Sequence, residues 1–302
     1  MTLEALPYVV LLGVLFGSTL VASRFGVGQF APMTYVGLRL ALAGLAHLFF
    51  YLRPGRGRAW PRDRQLWRHA IVLGIFGTAI PMTSVVSSLA YQSSGVTSLL
   101  LTANPALTVL LAHFFLADER LNRRKGLGIS LALGGALLLA IRGESGLPTI
   151  DRASPIGYGL VLLAMVCGSV MTIYARKYMR QFNEIDVASI RLWAATLTVL
   201  PLSLLLVGFD LSAVTTGGYL VLLYAAAVGT FAGLLLAFYN IKRFGATAAA
   251  LASYVIPVVA GIGGTLFLGE HITSGMLAGM ALIILGIALL NERSPVMARP
   301  LP

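Results

Sequence analysis

The chain has 302 residues, of which 58% are hydrophobic and only 11% are charged, and its mean hydropathy is +0.86. Soluble globular domains carry about 25% charged residues, so this composition excludes a soluble protein and predicts a membrane protein. The net charge of +11 is then a signal of membrane topology rather than of nucleic-acid binding. The single cysteine, Cys167, excludes an intrachain disulfide.

Ten apolar segments follow one another along the chain, each close to the roughly 20 residues that a membrane span needs. They cover residues 7–26, 32–52, 70–91, 95–117, 126–142, 155–175, 186–208, 217–241, 245–268 and 273–291. The connections between them are too short for a soluble domain. The start "MTLEALPYVV" has no basic residue, so we favour a retained first span over a cleaved signal peptide.

Lysine and arginine are distributed unevenly about the predicted spans. Seventeen lie at one side and three at the other. Because positively charged loops stay in the cytoplasm, we expect both termini there. The remaining two, Arg39 and Arg191, lie inside apolar segments.

The two halves of the chain repeat each other. Arg39 and Arg191 are 152 residues apart. Further pairs recur at offsets of 150 to 152, namely Gly95 with Gly245, Pro105 with Pro257, Glu119 with Glu270, Gly128 with Gly279, and Gly135 with Gly286. Six such pairs indicate a duplication.

Each half holds five predicted spans, and an odd number makes the second half enter the membrane from the opposite face. We therefore predict an all-α membrane protein with ten transmembrane helices as two inverted five-helix repeats. This arrangement is typical of secondary transporters, whose substrate site lies near the bilayer midplane. We expect the first repeat over residues 1–143, a periplasmic linker over 144–154, the second repeat over 155–293 and a cytoplasmic tail over 294–302.

Two segments carry a family likeness, "GVTSLLLTANPALTVLLAHFFLADERL" and "GATAAALASYVIPVVAGIGGTLFLGEHI". Each has a glycine, a run of small residues, a proline in mid-helix and an aliphatic run that leads to a glutamate. They resemble the two signature hairpins of the drug/metabolite transporter superfamily, and with ten spans the chain is similar to its EamA-type members. The resemblance implies a small-metabolite carrier of the bacterial inner membrane, often an exporter, with cytoplasmic termini. The closest likeness is to exporters of aromatic and other amphipathic amino acids.

The acidic residues all fall in loops or at span ends, so no carboxylate is expected near the midplane to carry a proton or bind sodium. The first span also lacks the glutamate that is essential in the superfamily's four-span drug exporters, so carboxylate-based proton exchange is not carried over. We find no HExxH, no paired carboxylates and no nucleophile–base pair. We therefore expect neither an enzyme nor a bound metal or cofactor.

The two buried charges, Arg39 and Arg191, have two interpretations. A guanidinium can hold a substrate carboxylate as a fork. Alternatively, it caps the carbonyls of a neighbouring helix or snorkels to the nearer interface. We favour the structural role, because a folding device needed once per half would persist at both symmetric positions.

Three prolines are candidate hinges. Pro105 and Pro257 lie near the middle of spans four and nine, and Pro81 lies in span three. A proline removes one helical hydrogen bond and frees the carbonyl four residues earlier, here that of Leu101 before Pro105 and of Ser253 before Pro257. A static kink that serves packing is the alternative in each case.

Polar and aromatic side chains form stripes on several spans and predict a substrate cavity. The candidate substrate-binding residues are Ser84, Ser88, Tyr91, Leu101, Asn104, Met165, Ser169, Trp193, Tyr224, Tyr239 and Tyr254. The alternative is hydrogen bonding and packing between helices, which is common in membranes.

Spans five and ten carry almost no internal polar residues, and their glycines recur at intervals of seven, which permits close helix approach. We expect these two spans to form a scaffold outside the pathway. Glu119 and Glu270 precede the expected N-cap residues Asn122 and Thr273 and should set the hairpin ends. Gating salt bridges are the alternative for the two glutamates.

Together these features predict a secondary transporter that exports small amphipathic metabolites, above all amino acids, by alternating access around a midplane cavity. Its expected partners are a small-molecule substrate and the lipid bilayer, without nucleic acid, and we expect a monomer. An exporter of drugs, nucleosides or sugar derivatives is one alternative. A membrane receptor or accessory subunit that does not transport is another.

Overall fold

A computed structural model of the chain describes residues 3–52, 59–116, 121–244 and 251–291. The described residues are helical and contain no strand beyond an isolated bridge between Leu147 and Ile150. The ten main helices are α1 (Leu6–Val27), α2 (Pro32–Leu52), α3 (Arg64–Ser88), α4 (Ser94–Phe115), α5 (Arg123–Arg142), α6 (Pro155–Tyr178), α7 (Glu184–Leu206), α8 (Thr216–Tyr224, Ala225–Ala232 and Gly233–Phe244 in succession), α9 (Ala252–Leu268) and α10 (Ser274–Asn291).

The helix lengths fit a protein that crosses a membrane ten times. Seven helices, α1 and α3 to α8, are long and apolar enough to span a bilayer by length and composition. Helix α2 has 21 residues, and α9 and α10 are shorter apolar helices. The predicted all-α membrane fold is confirmed. Some predictions fall outside the described residues, namely those on residues 245–250 of span nine, on Glu119 and on the tail 294–302.

Helix α3 begins at Arg64 and so extends beyond the start of the predicted span at residue 70. The Asp63 carboxylate caps the helix and accepts hydrogen bonds from the backbone N–H groups of Gln65 at 2.7 Å and Leu66 at 3.4 Å. The first turns of α3 are basic and amphipathic, so hydropathy alone did not assign them to the span. An aspartate before such a segment is a helix start signal.

The connections fall into two sets at opposite ends of the helices. We call the end that holds residues 28–31, 89–93, 143–154, 207–215 and 269–273 the linker end. The other end, which holds the α2–α3, α4–α5, α6–α7 and α8–α9 connections, is the basic end.

Helix packing obeys the symmetry that an inverted repeat requires. Helices α1 to α5 of the first repeat correspond in order to α6 to α10 of the second. The α1–α9 contact therefore corresponds to the α6–α4 contact, and the α3–α6 contact corresponds to the α8–α1 contact. The α2–α8 contact corresponds in the same way to the α7–α3 contact. Three pairs, α2–α7, α4–α9 and α5–α10, correspond to themselves, so they lie on the pseudo-two-fold axis. The two inverted five-helix repeats are therefore confirmed.

Each repeat contributes helices to two interleaved bundles. The first bundle consists of α1, α2, α8 and α9, and the second consists of α3, α4, α6 and α7. Helices α2 and α7 join the bundles along one side. They approach closely at two glycines, Gly37 against Leu200 and Gly44 against the Trp193 ring. The two sequence halves are thus not separate bodies in the folded protein.

Helices α5 and α10 form the most extensive helix pair. Glycines make this contact possible, because a Cβ atom at Gly286 would lie only 2.5 Å from the Gly128 carbonyl oxygen and the Ala132 nitrogen. A Cβ at Gly135 would lie 2.8 Å from the Gly279 carbonyl oxygen. The expected close approach of spans five and ten is confirmed.

A polar layer joins three connections at the linker end. The buried Glu270 carboxylate accepts hydrogen bonds from the Ser94 N–H at 2.9 Å, the Ser94 hydroxyl at 2.7 Å and the Gly95 N–H at 3.4 Å. It therefore caps the start of α4, where negative charge is favourable. In the linker, the Gly146 carbonyl accepts from the His271 N–H at 2.8 Å. Glu270 has a structural partner in Ser94.

The expected N-caps are also confirmed. The Asn122 side chain accepts a hydrogen bond from the Lys125 N–H at 2.8 Å. The Thr273 hydroxyl accepts from the Met276 N–H at 3.1 Å. The polar layer at the linker end is thus tied to the start of α10 as well as to the start of α4.

We expect Gly286→Ala to lower the free energy of unfolding by about 1–3 kcal/mol, because the added methyl group forces α5 and α10 apart. Gly134→Ala on α5 is the matched control, because its Cβ would meet nothing within 4 Å. The control should be neutral or stabilising by up to about 1 kcal/mol, since alanine favours helix over glycine. Thermal unfolding in detergent measures both, and equal midpoints for the two variants would contradict the packing.

Glu270→Gln should lower stability by about 1–3 kcal/mol, because the amide places a donor against the N–H and O–H donors of Ser94 and Gly95. Glu184→Gln is the control. Glu184 also lies at a helix start, but it is exposed, so its loss should cost no more than about 1 kcal/mol. Chemical denaturation followed by tryptophan fluorescence provides the comparison. A midpoint for Glu270→Gln equal to that of the control would disprove the cap.

Candidate functional site

A cavity of about 500 Å³ lies between the two bundles. Among the described residues its lining comes from α1 to α4 and α7 to α9, and none comes from α5, α6 or α10. The predicted scaffold helices α5 and α10 therefore lie outside it. The lining is mostly aliphatic. Its polar members are Thr19, Ser23, Arg39, Thr78, Ser98, Thr102, Arg191, Thr230 and Ser253.

Arg39 connects three helices of the first bundle. It is 8% exposed and projects from α2, seven residues after the start of that helix. Its Nε donates to the Thr230 hydroxyl of α8 at 2.8 Å, and its Nη1 donates to the Ser23 hydroxyl of α1 at 3.1 Å. The arginine therefore holds α1, α2 and α8 together.

Arg191 makes the equivalent contact in the second bundle. It lies on α7, also seven residues after the helix start. Its Nε donates to the Thr78 hydroxyl and its Nη2 donates to the Gly77 carbonyl, both in α3. Pro81, four residues after Gly77, frees that carbonyl within its own helix. Arg191 thus satisfies a backbone group that the proline leaves open.

The threonines that accept from the two arginines, Thr78 and Thr230, belong to π-helical segments. These are Ile75–Ala79 in α3 and Ala225–Ala232 in α8. Such segments often occur at functional sites. Gly77–Thr78 and Gly229–Thr230 are separated by the same 152 residues as the two arginines. The sequence analysis does not include these two Gly–Thr dipeptides among its candidates. Their shared offset of 152 residues is the signal that could have identified them.

The glycine of each pair provides room for the opposite repeat. A Cβ at Gly77 would lie 3.1 Å from the Met171 side chain of α6, and one at Gly229 would lie 2.2 Å from the Thr19 hydroxyl of α1. Thr19 and Met171 are themselves 152 residues apart. The close contact is therefore symmetric, although the side chains that make it differ.

The predicted hinges lie at different kinds of position. Pro81 lines the cavity next to the π-helical segment of α3. Pro105 follows a break in α4 at Ala103. Pro257 is buried in α9, and the Ser253 carbonyl that it frees accepts a hydrogen bond from the Thr102 hydroxyl of α4 at 3.2 Å. A hinge role for these prolines stays a prediction.

Leu101 is the candidate substrate-binding residue that lines the cavity. The predicted buried charges Arg39 and Arg191 and the candidate hinge Pro81 also line it. Several others hold helices to one another. The Ser169 hydroxyl donates to Asn104 Oδ1 at 3.0 Å and lies 2.8 Å from the Thr108 hydroxyl, which ties α6 to α4.

The remaining candidates also lie outside the cavity lining. The Ser88 hydroxyl donates to the Val85 carbonyl, and Ser84 is buried. Met165 belongs to the core between α4, α5, α6 and α10, and Tyr254 packs on that core.

The aromatic candidates contact other side chains or glycines. Tyr91 lies beside Gly157, and Trp193 packs at Gly44. The Tyr224 hydroxyl lies 2.8 Å from the Ser18 hydroxyl, and the Tyr239 ring packs on Tyr8. A role for these side chains in substrate binding stays a prediction.

The cavity offers hydrogen bonding and positive charge rather than reaction chemistry. Within the described ranges, no group of three or more His, Cys, Asp or Glu residues could hold a metal ion. Serine and threonine hydroxyls alternate there with aliphatic surface, a combination typical of small-molecule binding sites.

Several proteins with similar sequences are named as transporters. A probable amino-acid metabolite efflux pump of Salmonella typhimurium is 28% identical over 282 residues, which covers 91% of this chain and 90% of that protein. A probable terminal-alkyne amino-acid exporter of Streptantibioticus cattleyicolor is 27% identical over 293 residues, covering 96% and 94%. An uncharacterized transporter of Archaeoglobus fulgidus is 25% identical, covering 90% and 93%.

A solved crystal structure shares the fold, with a TM-score of 0.65 at 20% identity over 93% of this chain and 94% of the other. The model of the EamA-like transporter family matches the chain twice, over residues 4–141 and 155–292. The matches cover both repeats and nearly the whole chain. The protein is therefore a multi-pass membrane transporter rather than an enzyme, and it belongs to the EamA-like transporter family.

Proposed function

We propose that the protein exports small amphipathic metabolites, most of all amino acids, by alternating access. The observation that carries this proposal is the cavity of about 500 Å³ between two symmetry-related bundles. Its volume is within the range of about 300–1,000 Å³ that small-molecule sites occupy. Its position on the pseudo-two-fold axis is where a carrier with inverted repeats holds its substrate.

Amino acids are the favoured substrate class for two reasons. Two of the similar proteins are named as exporters of amino acids or of their metabolites. The cavity itself combines aliphatic surface with hydroxyls and two guanidinium groups, which suits a molecule with a polar head and an apolar body. Drugs, nucleosides and sugar derivatives are the competing classes.

The two bundles, rather than the two sequence halves, are the bodies that we propose to move. Each sequence half has helices in both bundles. If one half rotated as a unit, the contacts between the two halves inside each bundle would break. The cavity lies between the bundles, with the α2–α7 contact on one side and the α4–α9 contact on the other. Rocking about these contacts exposes the cavity to each face in turn.

The membrane arrangement is part of the same proposal. Both termini lie in the cytoplasm of a bacterial cell, the basic end faces inward, and residues 144–154 form a periplasmic linker between repeats at 1–143 and 155–293. The strong excess of lysine and arginine at the basic end supports this orientation. The protein acts as a monomer whose partners are the inner-membrane bilayer and a small-molecule substrate.

Cysteine labelling in intact cells tests the orientation. With Cys167→Ser as background, His271→Cys at the linker end should react with a membrane-impermeant maleimide. Arg124→Cys at the basic end should react only after permeabilisation. Both native residues are exposed, so accessibility to the reagent does not differ for other reasons. Reaction of both cysteines from the same face would contradict the inverted arrangement. Reaction of Arg124→Cys from outside and of His271→Cys only after permeabilisation would keep the inverted repeats but place the basic end outside the cell.

Flux measurements test the function. Purified protein in liposomes should exchange radiolabelled amino acids faster than liposomes without protein, in a screen that also includes nucleosides and sugar derivatives. Leu101→Trp should lower the flux at least tenfold, because Leu101 lines the cavity and the indole fills it. Leu137→Trp is the control, since Leu137 is 59% exposed on α5, away from the cavity. Equal flux through Leu101→Trp and Leu137→Trp would mean that the substrate does not pass through this cavity.

A further inference from the structure

The two arginines of the cavity have more hydrogen-bond donors than the protein uses. A guanidinium carries five N–H donors. Arg39 spends two of them on Thr230 and Ser23, and Arg191 spends two on Thr78 and the Gly77 carbonyl. Within the described parts of the chain, Nη2 of Arg39 and Nη1 of Arg191 have no acceptor. Both side chains line the same cavity.

The positive charge of the cavity is not balanced by its own walls. Among the described lining residues there is no aspartate or glutamate, and neither arginine has a carboxylate partner in that part of the chain. A buried charge without a partner is costly, and a charged partner with matching geometry removes that cost. The group that fits the open edge of a guanidinium is a planar oxyanion, which accepts two parallel N–H bonds.

The rest of the lining restricts what such an anion can be attached to. Leu20, Met82, Val85, Leu234 and Ile256 present aliphatic surface to the cavity, which favours an apolar body next to the anionic group. A strongly hydrated phosphate ester would lose its water against this surface. The combination favours a carboxylate on an apolar skeleton.

The two guanidinium groups stand at different depths. Each arginine follows the start of its helix by seven residues, or about 10 Å, but α2 starts at the linker end and α7 starts at the basic end. With helices of 21 and 23 residues, the two attachment points are separated by about 10 Å along the membrane normal. One guanidinium is therefore nearer each face.

We propose that Arg39 and Arg191 are two carboxylate sites of the transport cavity, which accepts amphipathic substrates with a free carboxylate and rejects cations of the same shape. Arg191 receives the carboxylate on the side of the basic end, and Arg39 receives it on the side of the linker end. In each arginine, Nε and one N–H of a terminal nitrogen hold the bundle, while the unused N–H groups of the two terminal nitrogens face the ligand. This inference rests on the proposed transport of amphipathic metabolites and specifies its substrate class.

Three ligands of nearly equal shape test the proposal on the wild-type protein. L-Phenylalanine is a zwitterion, 3-phenylpropionate keeps only the carboxylate, and L-phenylalaninamide keeps only the ammonium group. We expect the first two to bind at least tenfold more tightly than the amide, by isothermal titration in detergent, and to be exchanged by proteoliposomes. Binding of the amide as tight as that of the acids would overturn the inference, as would binding of none of the three.

Variants of Arg191 separate carboxylate binding by this side chain from general charge effects. Arg191→Gln should weaken binding of 3-phenylpropionate at least tenfold and leave that of the amide unchanged or improved, and Arg191→Lys should restore only part of the affinity because it keeps the charge without the fork. Arg68→Gln on the exposed face of α3 is the control and should bind as the wild type does. Equal loss of affinity for acid and amide in Arg191→Gln would mean a structural role only.

The outcomes distinguish this inference from the transport function on which it rests. If amino acids are exchanged but the amide competes as well as the acid, the carboxylate sites are refuted and the carrier function stands. If the protein exchanges none of the amino acids, nucleosides or sugar derivatives, both proposals fall together. Because the ligand series uses the wild-type protein, poor folding of an arginine variant does not decide the result.

Discussion

The structure depends on a buried arginine that reaches from one repeat into a π-helical segment of the other. Arg39 and Thr230 are 191 residues apart in the chain, and Arg191 and Thr78 are 113 apart. In a bilayer the lipid is as apolar as the helix surfaces, so the hydrophobic effect does little to hold helices together. Hydrogen bonds and close packing must define which helices pair. The two arginine–threonine contacts do so for α2 with α8 and for α7 with α3, and the two bundles follow from them.

The two copies of this contact have diverged in one informative respect. In the second bundle Pro81 frees the Gly77 carbonyl, and Arg191 donates to it. The position that corresponds to Pro81 in the second repeat is Gly233, which has a backbone N–H and donates it to the Val228 and Thr230 carbonyls. Arg39 donates to the Ser23 hydroxyl instead of to a carbonyl. The cavity therefore has similar but unequal ends. With the proposed carboxylate sites, substrate affinity would differ between the two ends of the cavity.

Much of this architecture can be predicted from the sequence because membrane proteins obey few and strong constraints. The bilayer thickness sets the ten spans, and the recurrence of Arg39 at Arg191 reveals the repeat. The glycines at 128, 135, 279 and 286 predict the α5–α10 contact correctly, because a missing Cβ has one simple geometric consequence. The start of the α3 helix at Arg64 is less apparent, since a basic amphipathic turn has no hydropathy signal.

The cavity lining was harder to predict because a polar residue on an apolar helix has two possible partners, substrate or another helix. Asn104 and Ser169 lie on predicted stripes, yet their hydrogen bonds join α4 to α6. The sequence does not single out Thr78 and Thr230, because threonine in a span is common and its hydroxyl can bond to the carbonyl of its own helix. Only the arrangement of α3 and α8 against the arginines gives these hydroxyls a role at the cavity.

The structural and the binding roles of the arginines are compatible because a guanidinium is a planar fork with more donors than one contact can use. Fixing Nε against a threonine immobilises the plane of the group, so less conformational entropy is lost when a ligand binds its remaining edge. A lysine could not do both, since its ammonium group has no fixed plane. A carrier with no carboxylate among the described residues of its cavity lining can thus keep two buried positive charges. In the proposed roles, their cost is reduced by hydrogen bonds between helices when the cavity is empty and by the substrate carboxylate when it is full.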